Sequence, residues 1–344
     1  MRKTIRQLYE EHDDKISDTR TLYLNEWDRF FVSYRDLNIN LLEIGVQNGG
    51  SLEIWAKYFL KAQKIIGCDI EPKCENLRYE DDRITVVVGD ANSVDCENKI
   101  LQHMPTFDII IDDGSHKSSD VIRSFSRYFP HLNENGIYVV EDLHTSYWKD
   151  FEGELYNPLS SSAFFKRLAV VINYEHWRNN KSRGSFLTAF EKNLRTEFEE
   201  VELIKIHSIE FVNSLCIIKK LPYERNILGK RIIVGTDGCV TDEVKKLNGT
   251  LIQDFPHSIK IDENLDAFAL MESIQALNSK MAEREYRLNE IKRSKAWRVA
   301  MLFRRIRKIL APKNSLRTKI LKWIYKIFFF PLIKIRRKFI KRSL

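Results

Sequence analysis

The chain has 344 residues, of which 43% are apolar and 30% are charged, so it is large enough for a globular catalytic domain with an appended segment. Its net charge of +8 is unevenly distributed, because residues 291–344 contain 19 Lys and Arg and no Asp or Glu, whereas residues 1–290 carry 37 basic against 48 acidic side chains. The acidic body argues against a nucleic-acid-binding main domain, and five cysteines without a C-x-x-C pair argue against a disulfide framework or a zinc site.

Residues 1–37 are charged and lack the apolar core of a signal peptide. We expect this segment to be a helical lead-in to the domain that follows. No run of about 18 apolar residues occurs, so no membrane-spanning helix is predicted. An odd number of cysteines fits a reducing compartment best. These features together predict a cytoplasmic protein.

A catalytic domain is predicted over residues 38–222. Short apolar runs alternate there with helical patterns, which is typical of βαβ units on a parallel sheet covered on both faces. The fold class is therefore α/β, a Rossmann-like seven-stranded sheet flanked by helices. We predict strands at residues 40–44, 64–69, 84–89, 107–112, 136–141, 201–206 and 213–219, and helices at 51–61, 118–129, 162–173 and 185–194.

Two further segments follow this domain. Residues 223–267 form a linker or small subdomain with one strand-like run at 231–234. Residues 268–295 then show a short heptad seam, interrupted by Arg284, which predicts a short coiled coil and a possible homo-oligomer. A solvated helix packed on its own domain is the alternative. The apolar positions of the seam are Leu270, Ile274, Leu277, Met281, Leu288 and Ile291.

The basic tail, residues 296–344, interleaves apolar and aromatic residues with Lys and Arg. This pattern predicts an amphipathic helix on an anionic membrane surface, with Trp297 and Trp323 as interfacial anchors. A nucleic-acid-binding tail is the alternative, and the density of Phe, Ile and Leu argues against it. We therefore expect a peripheral protein on the inner face of the cell membrane.

The first predicted strand leads into a glycine-rich turn, LLEIGVQNGGS. Such a turn lets the backbone approach a nucleotide closely, and the following helix offers unpaired N–H groups at its start. A purely structural tight turn is the alternative. The candidate cofactor contacts in this turn are Glu43, Gly45, Gln47, Gly49 and Ser51.

Acidic residues follow the next three strands. Asp69 is placed to accept ribose hydroxyls, Asp90 and the neighbouring Ala91 to meet an adenine edge, and Asp112 ends the fourth strand. Carboxylates at every strand end would repel a pyrophosphate, whereas a cationic sulfonium meets no such objection. S-adenosylmethionine therefore fits better than NAD.

Two pairs of carboxylates end the fourth and fifth strands, where adjacent parallel strands meet at the ligand crevice. Asp113, Glu141 and Asp142 can converge there, and because unpaired carboxylates repel one another, a hard divalent cation such as Mg2+ is the expected partner. Capping of helices or pairing with Lys and Arg is the alternative.

Candidate catalytic and acceptor residues lie beside the predicted metal site. His116 stands in a Gly-Ser turn and can accept a hydroxyl proton near neutral pH, with Asp113 as its metal-binding companion. His144 competes with His116 for the role of base. Tyr147 and Trp148 are candidate acceptor contacts, although aromatic residues in this loop could also simply cover the core.

The motifs E-x-G-x-x-x-G-G-S, C-D-I-E-P, G-D-A, I-D-D-G-S-H and V-E-D resemble the class I S-adenosylmethionine-dependent methyltransferases. More narrowly, residues 20–220 resemble metal-dependent sugar O-methyltransferases of macrolide and rhamnosyl tailoring and the cephalosporin hydroxylase-like family. The resemblance implies Mg2+ at the matching carboxylates and the matching histidine, His116, as base. Gln47 departs from the pattern, because a second glycine often stands there.

These observations predict a Mg2+-dependent O-methyltransferase that acts on a sugar hydroxyl in polysaccharide or glycan biosynthesis. The tail after the short coiled coil also resembles tails on bacterial enzymes of surface-polysaccharide assembly, which implies a glycan or lipid-linked glycan acceptor. A non-sugar small metabolite as acceptor and a non-catalytic membrane-associated scaffold remain the alternatives. No nucleic-acid partner is expected.

Overall fold

The structure is a computed structural model that describes residues 2–177, 180–251, 267–295, 297 and 301. Most of the predicted membrane-surface tail, including Trp323, and part of the predicted linker lie outside these residues. The strands are β1 (Asn40–Ile44), β2 (Lys64–Asp69), β3 (Ile84–Val88), β4 (Phe107–Asp112), β5 (Leu132–Val140), β6 (Ile206–Val212) and β7 (Leu215–Lys220). The helices are α1 (Ile5–Glu10), α2 (Thr21–Phe31), α3 (Gly50–Tyr58), α4 (Val94–His103), α5 (Ser118–Tyr128), α6 (Ser161–Ile172), α7 (Thr188–Leu194), α8 (Glu200–Leu203) and α9 (Ala267–Arg293).

The seven strands form one sheet in the order β3-β2-β1-β4-β5-β7-β6. Strands β1 to β5 pair in parallel, and β7 is antiparallel to both β5 and β6. The strand order reverses between β1 and β4, and in open α/β sheets ligands bind at the carboxyl ends of the strands beside such a reversal. The Rossmann-like class is confirmed, and the reversal places the ligand crevice above β1, β4 and β5.

Both faces of the sheet are buried at its central strands. Adjacent residues of β1 belong to different hydrophobic clusters, with Leu41 on the face that carries α1 to α3 and Leu42 on the face that carries α5 and α6. Successive side chains of a strand point to opposite faces, so a strand buried on both sides must be apolar throughout. This is why β1, β2 and β4 have the predicted bounds.

The predicted N-terminal lead-in forms two helices that pack on the sheet. Helix α1 begins with a capping box in which Thr4 and Gln7 bond each other's backbone N–H. In α2, Trp27 stacks on Phe31 and meets Trp55 of α3 edge-on, with ring centroids 5.2 and 6.0 Å apart. Because each such pair stabilises by about 1 kcal/mol beyond burial, α2 is anchored firmly beside the strand ends.

Two strand predictions are wrong. The segment predicted as a strand at residues 201–206 contains the helical turn α8, in which Val201 is exposed and Leu203 is buried, and β6 begins only at Ile206. The run at 231–234 forms no strand, and its side chains Ile232 and Val234 are 83% and 87% exposed. Apolar content alone therefore misled the prediction where no neighbouring strand or helix buries the run.

Helix α9 covers most of the predicted heptad segment. Among its described side chains, Ile274, Leu277, Met281, Leu288 and Ile291 are each half or more exposed. Self-association through them stays a prediction. Over the described part of the chain, no helix combines the length and apolar character needed to cross a bilayer.

Candidate active site

A cavity of about 720 Å³ opens at the carboxyl ends of the parallel strands. It gathers most of the predicted site residues, although Gly49, His144, Tyr147 and Trp148 do not line it. The predicted residues that line it are Glu43, Gly45, Gln47, Ser51, Asp69, Asp90, Ala91, Asp112, Asp113, His116, Glu141 and Asp142.

The turn after β1 packs directly against the turn after β4. Gly45 has φ of +94°, and a Cβ at this position would lie 2.1 Å from the carbonyl oxygen of Asp113. The Asp113 backbone N–H in turn donates to the Ile44 carbonyl at 2.8 Å. Glycine at position 45 is therefore required both by φ and by space, and it brings the two halves of the site together.

Asp69 holds the shape of the glycine-rich turn. Its Oδ2 accepts the backbone N–H groups of Val46 and Gln47 at 2.8 Å each, and its Oδ1 accepts that of Glu71 at 2.9 Å. Gln47 itself is in the left-handed region, with φ of +50°, which explains why glycine often stands at this place in the resembling family. The predicted contact of Asp69 to ribose stays a prediction, but its structural role is clear.

The start of α3 is partly covered by the N-terminal segment. The Gly50 N–H donates to the Ile16 carbonyl at 3.3 Å, and a Cβ on Gly50 would lie 2.1 Å from the Lys15 carbonyl oxygen. Lys15 also pairs with Glu53 of α3. The Gly50 N–H is therefore paired within the protein, and the offer of other unpaired N–H groups at the start of α3 to a nucleotide stays a prediction.

Two fully buried carboxyl groups lie in the cavity wall. Glu43 accepts a hydrogen bond from Trp55 Nε1 at 3.0 Å, yet burial raises its pKa to about 7. Burial likewise raises the pKa of Asp112 to about 7, against weak bonds from the Gly114 N–H and the Tyr138 hydroxyl at 3.4 Å each. Both groups gain from a nearby positive charge, because desolvation disfavours their ionised form.

The loop after β3 shapes the far end of the cavity. Asp90 Oδ1 accepts the Asn92 N–H at 2.9 Å, and the Tyr128 hydroxyl donates to the Ala91 carbonyl at 2.7 Å. Ala91 is buried, so a larger side chain there would intrude on the cavity. These hydrogen bonds hold the loop in place, and adenine recognition by Asp90 stays a prediction.

Asp113, Glu141 and Asp142 surround the opposite end of the cavity. Burial, followed by the neighbouring carboxylates, raises the pKa of Asp113 and of Glu141 well above the usual range. Among the described residues, no three His, Cys, Asp or Glu side chains close into a ready metal cage. Mg2+ nevertheless commonly uses one or two carboxylates and completes its octahedron with water and substrate oxygens, so an open carboxylate set of this kind fits it.

His116 lies between two of these carboxylates. Its Nε2 is 3.9 Å from Asp113 Oδ1 and 3.9 Å from Asp142 Oδ2. Burial lowers the pKa of His116, which keeps the imidazole neutral and able to accept a proton at neutral pH. His116 has φ of +56°, and its carbonyl accepts a bond from Thr145 Oγ1 at 3.0 Å, so the strained backbone is held in place.

His144 is held by the turn between β6 and β7 instead of lining the cavity. Its Nδ1 bonds to Ser214 Oγ at 2.5 Å, and its ring meets Trp148 edge-on with centroids 4.7 Å apart. Phe151 continues this aromatic strip, with its ring 6.1 Å from Trp148 and 6.4 Å from His116. Tyr147 and Trp148 are about half exposed, so they do not cover the core.

Sequence reasoning missed the N-terminal contribution to the site. Tyr9, Arg20 and Tyr23 line the cavity, and the Tyr23 hydroxyl bonds Asp142 Oδ1 at 2.8 Å. Ser214 was missed as well. The available signal was weak, because these residues lie far from the motifs in the sequence and show no spacing typical of a site.

Comparison with known proteins identifies the region around this cavity. Residues 42–143 match the family described as "Methyltransferase domain". Demethylmacrocin O-methyltransferase of Streptomyces fradiae is 43% identical over 168 residues, which is 46% of this chain and 42% of that protein. Mycinamicin VI 2''-O-methyltransferase of Micromonospora griseorubida is 39% identical over 135 residues, or 37% of this chain and 33% of that protein. The chain thus spans less than half the length of these curated relatives.

A solved methyltransferase structure has a similar fold. The MycE methyltransferase of the mycinamycin biosynthetic pathway, in complex with Mg and SAH, has a TM-score of 0.55 and 26% identity, covering 69% of this chain and 59% of that chain. A second structure of the same protein also contains mycinamycin VI, with a TM-score of 0.52 over 68% of this chain and 58% of that chain. Residues 42–143 therefore match a methyltransferase domain, and the chain is similar over part of its length to O-methyltransferases.

Proposed function

We propose that this chain is an S-adenosylmethionine-dependent, Mg2+-dependent O-methyltransferase of a sugar hydroxyl. The observation that carries the proposal is the single cavity in a methyltransferase domain that joins a glycine-rich turn to three carboxylates and a histidine. The MycE methyltransferase structure contains Mg, SAH and mycinamycin VI at once, which supports a divalent cation and the methyl donor in one site here.

The acidic cavity supports the choice of methyl donor. Glu43 and Asp112 are buried in its wall with raised pKa values, and a sulfonium or ammonium cation nearby would stabilise their ionised forms. S-adenosylmethionine supplies an electrophilic methyl group on a positively charged sulfur. In return, these carboxylates favour the charged donor over its neutral thioether product, which has lost the sulfonium charge.

Asp113, Glu141 and Asp142 are the residues that would hold the cation. A bound divalent cation supplies Lewis acidity, which lowers the pKa of a hydroxyl that it contacts. The protein's part is to supply the oxygen ligands, and burial together with the neighbouring carboxylates raises the pKa of Asp113 and Glu141, so a bound cation would favour their ionised forms. Loss of either carboxylate should therefore weaken cation binding.

His116 is assigned as the general base. Its neutral imidazole takes the acceptor hydroxyl proton at Nε2 while the oxygen attacks the methyl carbon, so that a neutral ether and a neutral thioether are formed. His144 fits this role less well, because its Nδ1 is engaged by Ser214 and it does not line the cavity. The strip of Trp148 and Phe151 suits the apolar face of a sugar ring, and Tyr147 can contact the acceptor at its edge.

Calorimetric titration of the whole chain with S-adenosylmethionine, with and without Mg2+, tests the proposal. We expect donor binding in both cases and methyl transfer to a glycoside only with Mg2+. The variant Asp113→Ala should lose the Mg2+-dependent turnover while donor affinity changes little. Full activity in a chelator would refute the metal assignment, absence of donor binding would favour the scaffold, and transfer only to non-sugar acceptors would favour the metabolite enzyme.

We further propose that the acceptor belongs to polysaccharide or glycan biosynthesis and that residues 296–344 place the enzyme on the inner face of the cell membrane. The basic and aromatic composition of the tail supports this placement. Deletion of residues 296–344 should release the protein from anionic vesicles in a sedimentation assay. Retained binding would exclude the tail as the anchor, and binding to nucleic acid in preference to vesicles would favour the alternative.

A further inference from the structure

The hydroxyl of Tyr23 contacts both the side chain and the backbone of Asp142. It donates to Asp142 Oδ1 at 2.8 Å and lies 3.3 Å from the Asp142 backbone N–H, whose hydrogen bond it accepts. The carbonyl oxygen of Ser214, 3.3 Å away, is its second possible acceptor. One phenol from helix α2 therefore ties the end of β5 to the turn between β6 and β7.

Asp142 needs such support because of its backbone. Its φ of +49° lies in the left-handed region, which side chains with a Cβ adopt only when their surroundings hold them there. Thr145 provides part of this hold, since its backbone N–H and its Oγ1 both donate to the Asp142 carbonyl, at 3.0 and 2.8 Å. The Tyr23 hydroxyl adds one hydrogen bond to the Asp142 N–H and one to the Asp142 carboxylate.

The bond also decides which way the carboxylate faces. Oδ1 is taken by Tyr23 and lies 3.8 Å from His144 Nδ1, whereas Oδ2 faces His116 Nε2 at 3.9 Å. Without the phenol, the carboxylate could rotate about its terminal torsion toward either imidazole. With the phenol in place, Asp142 Oδ1 is held by Tyr23, and Asp142 Oδ2 stays directed toward His116 and the other carboxylates.

Tyr23 is itself rigidly placed. It is 2% exposed, and its ring packs edge-on against Trp27 with centroids 5.9 Å apart. The phenol position is thus set by the packing of α2 on the sheet and does not depend on a ligand. This is the arrangement by which outer hydrogen bonds orient the ligands of a metal ion and tune its affinity.

We propose that Tyr23 is a positioning residue that acts through Asp142 and sets the affinity of the site for its divalent cation. The proposal rests on the proposed function, because it takes Asp142 as one of the cation's ligands. It adds a residue that belongs to neither the strand-end motifs nor the glycine-rich turn, and it makes helix α2 part of the cation site.

The test is the pair of variants Tyr23→Phe and Tyr34→Phe in the full chain. Tyr34 is the matched control, because it is also buried and its hydroxyl also makes a hydrogen bond, to the Asn135 carbonyl at 2.6 Å, outside the site. Mn2+ binding is followed by electron paramagnetic resonance of the free ion, without donor or acceptor. We expect the Mn2+ dissociation constant to rise roughly tenfold to a hundredfold in Tyr23→Phe and to stay unchanged in Tyr34→Phe.

A second readout separates positioning from general stability. In an Asp142→Asn background, Tyr23→Phe should add no further loss of Mn2+ affinity, since the pathway through the carboxylate is already removed. Equal Mn2+ affinity of Tyr23→Phe and the unaltered protein would overturn the proposal, as would a Tyr23→Phe chain that does not fold while Tyr34→Phe does. If the unaltered protein itself binds no Mn2+, the proposed metal site fails instead.

Discussion

Replacement of the buried Glu43 by glutamine should stabilise the protein at alkaline pH. Glu43 is 3% exposed, and it accepts hydrogen bonds from Trp55 Nε1 and from the Ser51 side chain. Burial raises its pKa from an ordinary 4.5 to about 7, which corresponds to about 3 kcal/mol of unfavourable free energy for the ionised form in the folded protein. Glutamine keeps the shape and the bond from Trp55 but carries no charge.

The pH dependence follows from proton binding by the two states. Between pH 4.5 and about 7 the unfolded chain has released the Glu43 proton and the folded chain retains it, so the free energy of unfolding falls as the pH rises. Below pH 4.5 burial of the protonated Glu43 does not lower the free energy of unfolding, and above about pH 7 the full loss of about 3 kcal/mol applies. Burial also raises the pKa of Asp112 from 3.8 to about 7, so Asp112 lowers the free energy of unfolding at high pH in the Glu43→Gln variant and in the unaltered protein alike.

Urea unfolding without donor or metal, at pH 4.5 and pH 8.5, measures the effect. Relative to the unaltered protein, Glu43→Gln should gain about 3 kcal/mol more at pH 8.5 than at pH 4.5. Glu53→Gln is the control, because Glu53 pairs with Lys15 and loss of its charge should not stabilise the protein at pH 8.5. The same stability difference of Glu43→Gln at both pH values would refute the reasoning.

Three further predictions concern the site. His116→Ala should lower turnover roughly a hundredfold in steady-state assays with donor affinity unchanged, and an unaltered pH–rate profile would shift the role of base to His144. Gln47→Gly should raise the free energy of unfolding by about 1 kcal/mol by relieving a left-handed side chain, and a destabilised variant in urea would contradict this. Gly45→Ala should lower the free energy of unfolding by more than about 3 kcal/mol, because its Cβ would lie 2.1 Å from the Asp113 carbonyl oxygen. In the control Gly229→Ala nothing lies within 4 Å of the new Cβ, so only the cost of the positive φ should be lost. Equal losses of the two variants in thermal unfolding would show that space at position 45 is not limiting.

Sequence alone predicted the strands that are buried on both faces. Strands β1, β2 and β4 have the predicted bounds because a two-sided core demands unbroken apolar runs, and Asp112 and Glu141 could be placed because they follow such runs. Edge strand β6 escaped prediction for the opposite reason. Most of its side chains are exposed, and its pairing with β7 shifts register after Ile206, so its sequence does not carry a strand pattern.

The site was predictable only where it follows local motifs. His116, Asp113 and Asp142 lie in short segments whose neighbours in sequence are also their neighbours in space. Tyr23 and Ser214 reach the same place through tertiary packing, which no spacing in the sequence encodes. The left-handed backbone of Asp142 could not be predicted either, because aspartate also occurs in other backbone conformations and its presence does not indicate this one.

The bond network between Tyr23 and Ser214 has a consequence for how the protein is made. These residues are separated by 191 positions, so their contact closes one of the longest loops in the domain. Contacts of high sequence separation form late, after local structure has already gathered on the nascent chain. A ribosome-bound chain that still lacks the β6–β7 hairpin can thus build most of the sheet, but Asp142 would not yet have its Ser214 neighbour. We expect the contact between Tyr23 and Ser214 to form only at the final step of assembly, when α2 and the β6–β7 hairpin meet.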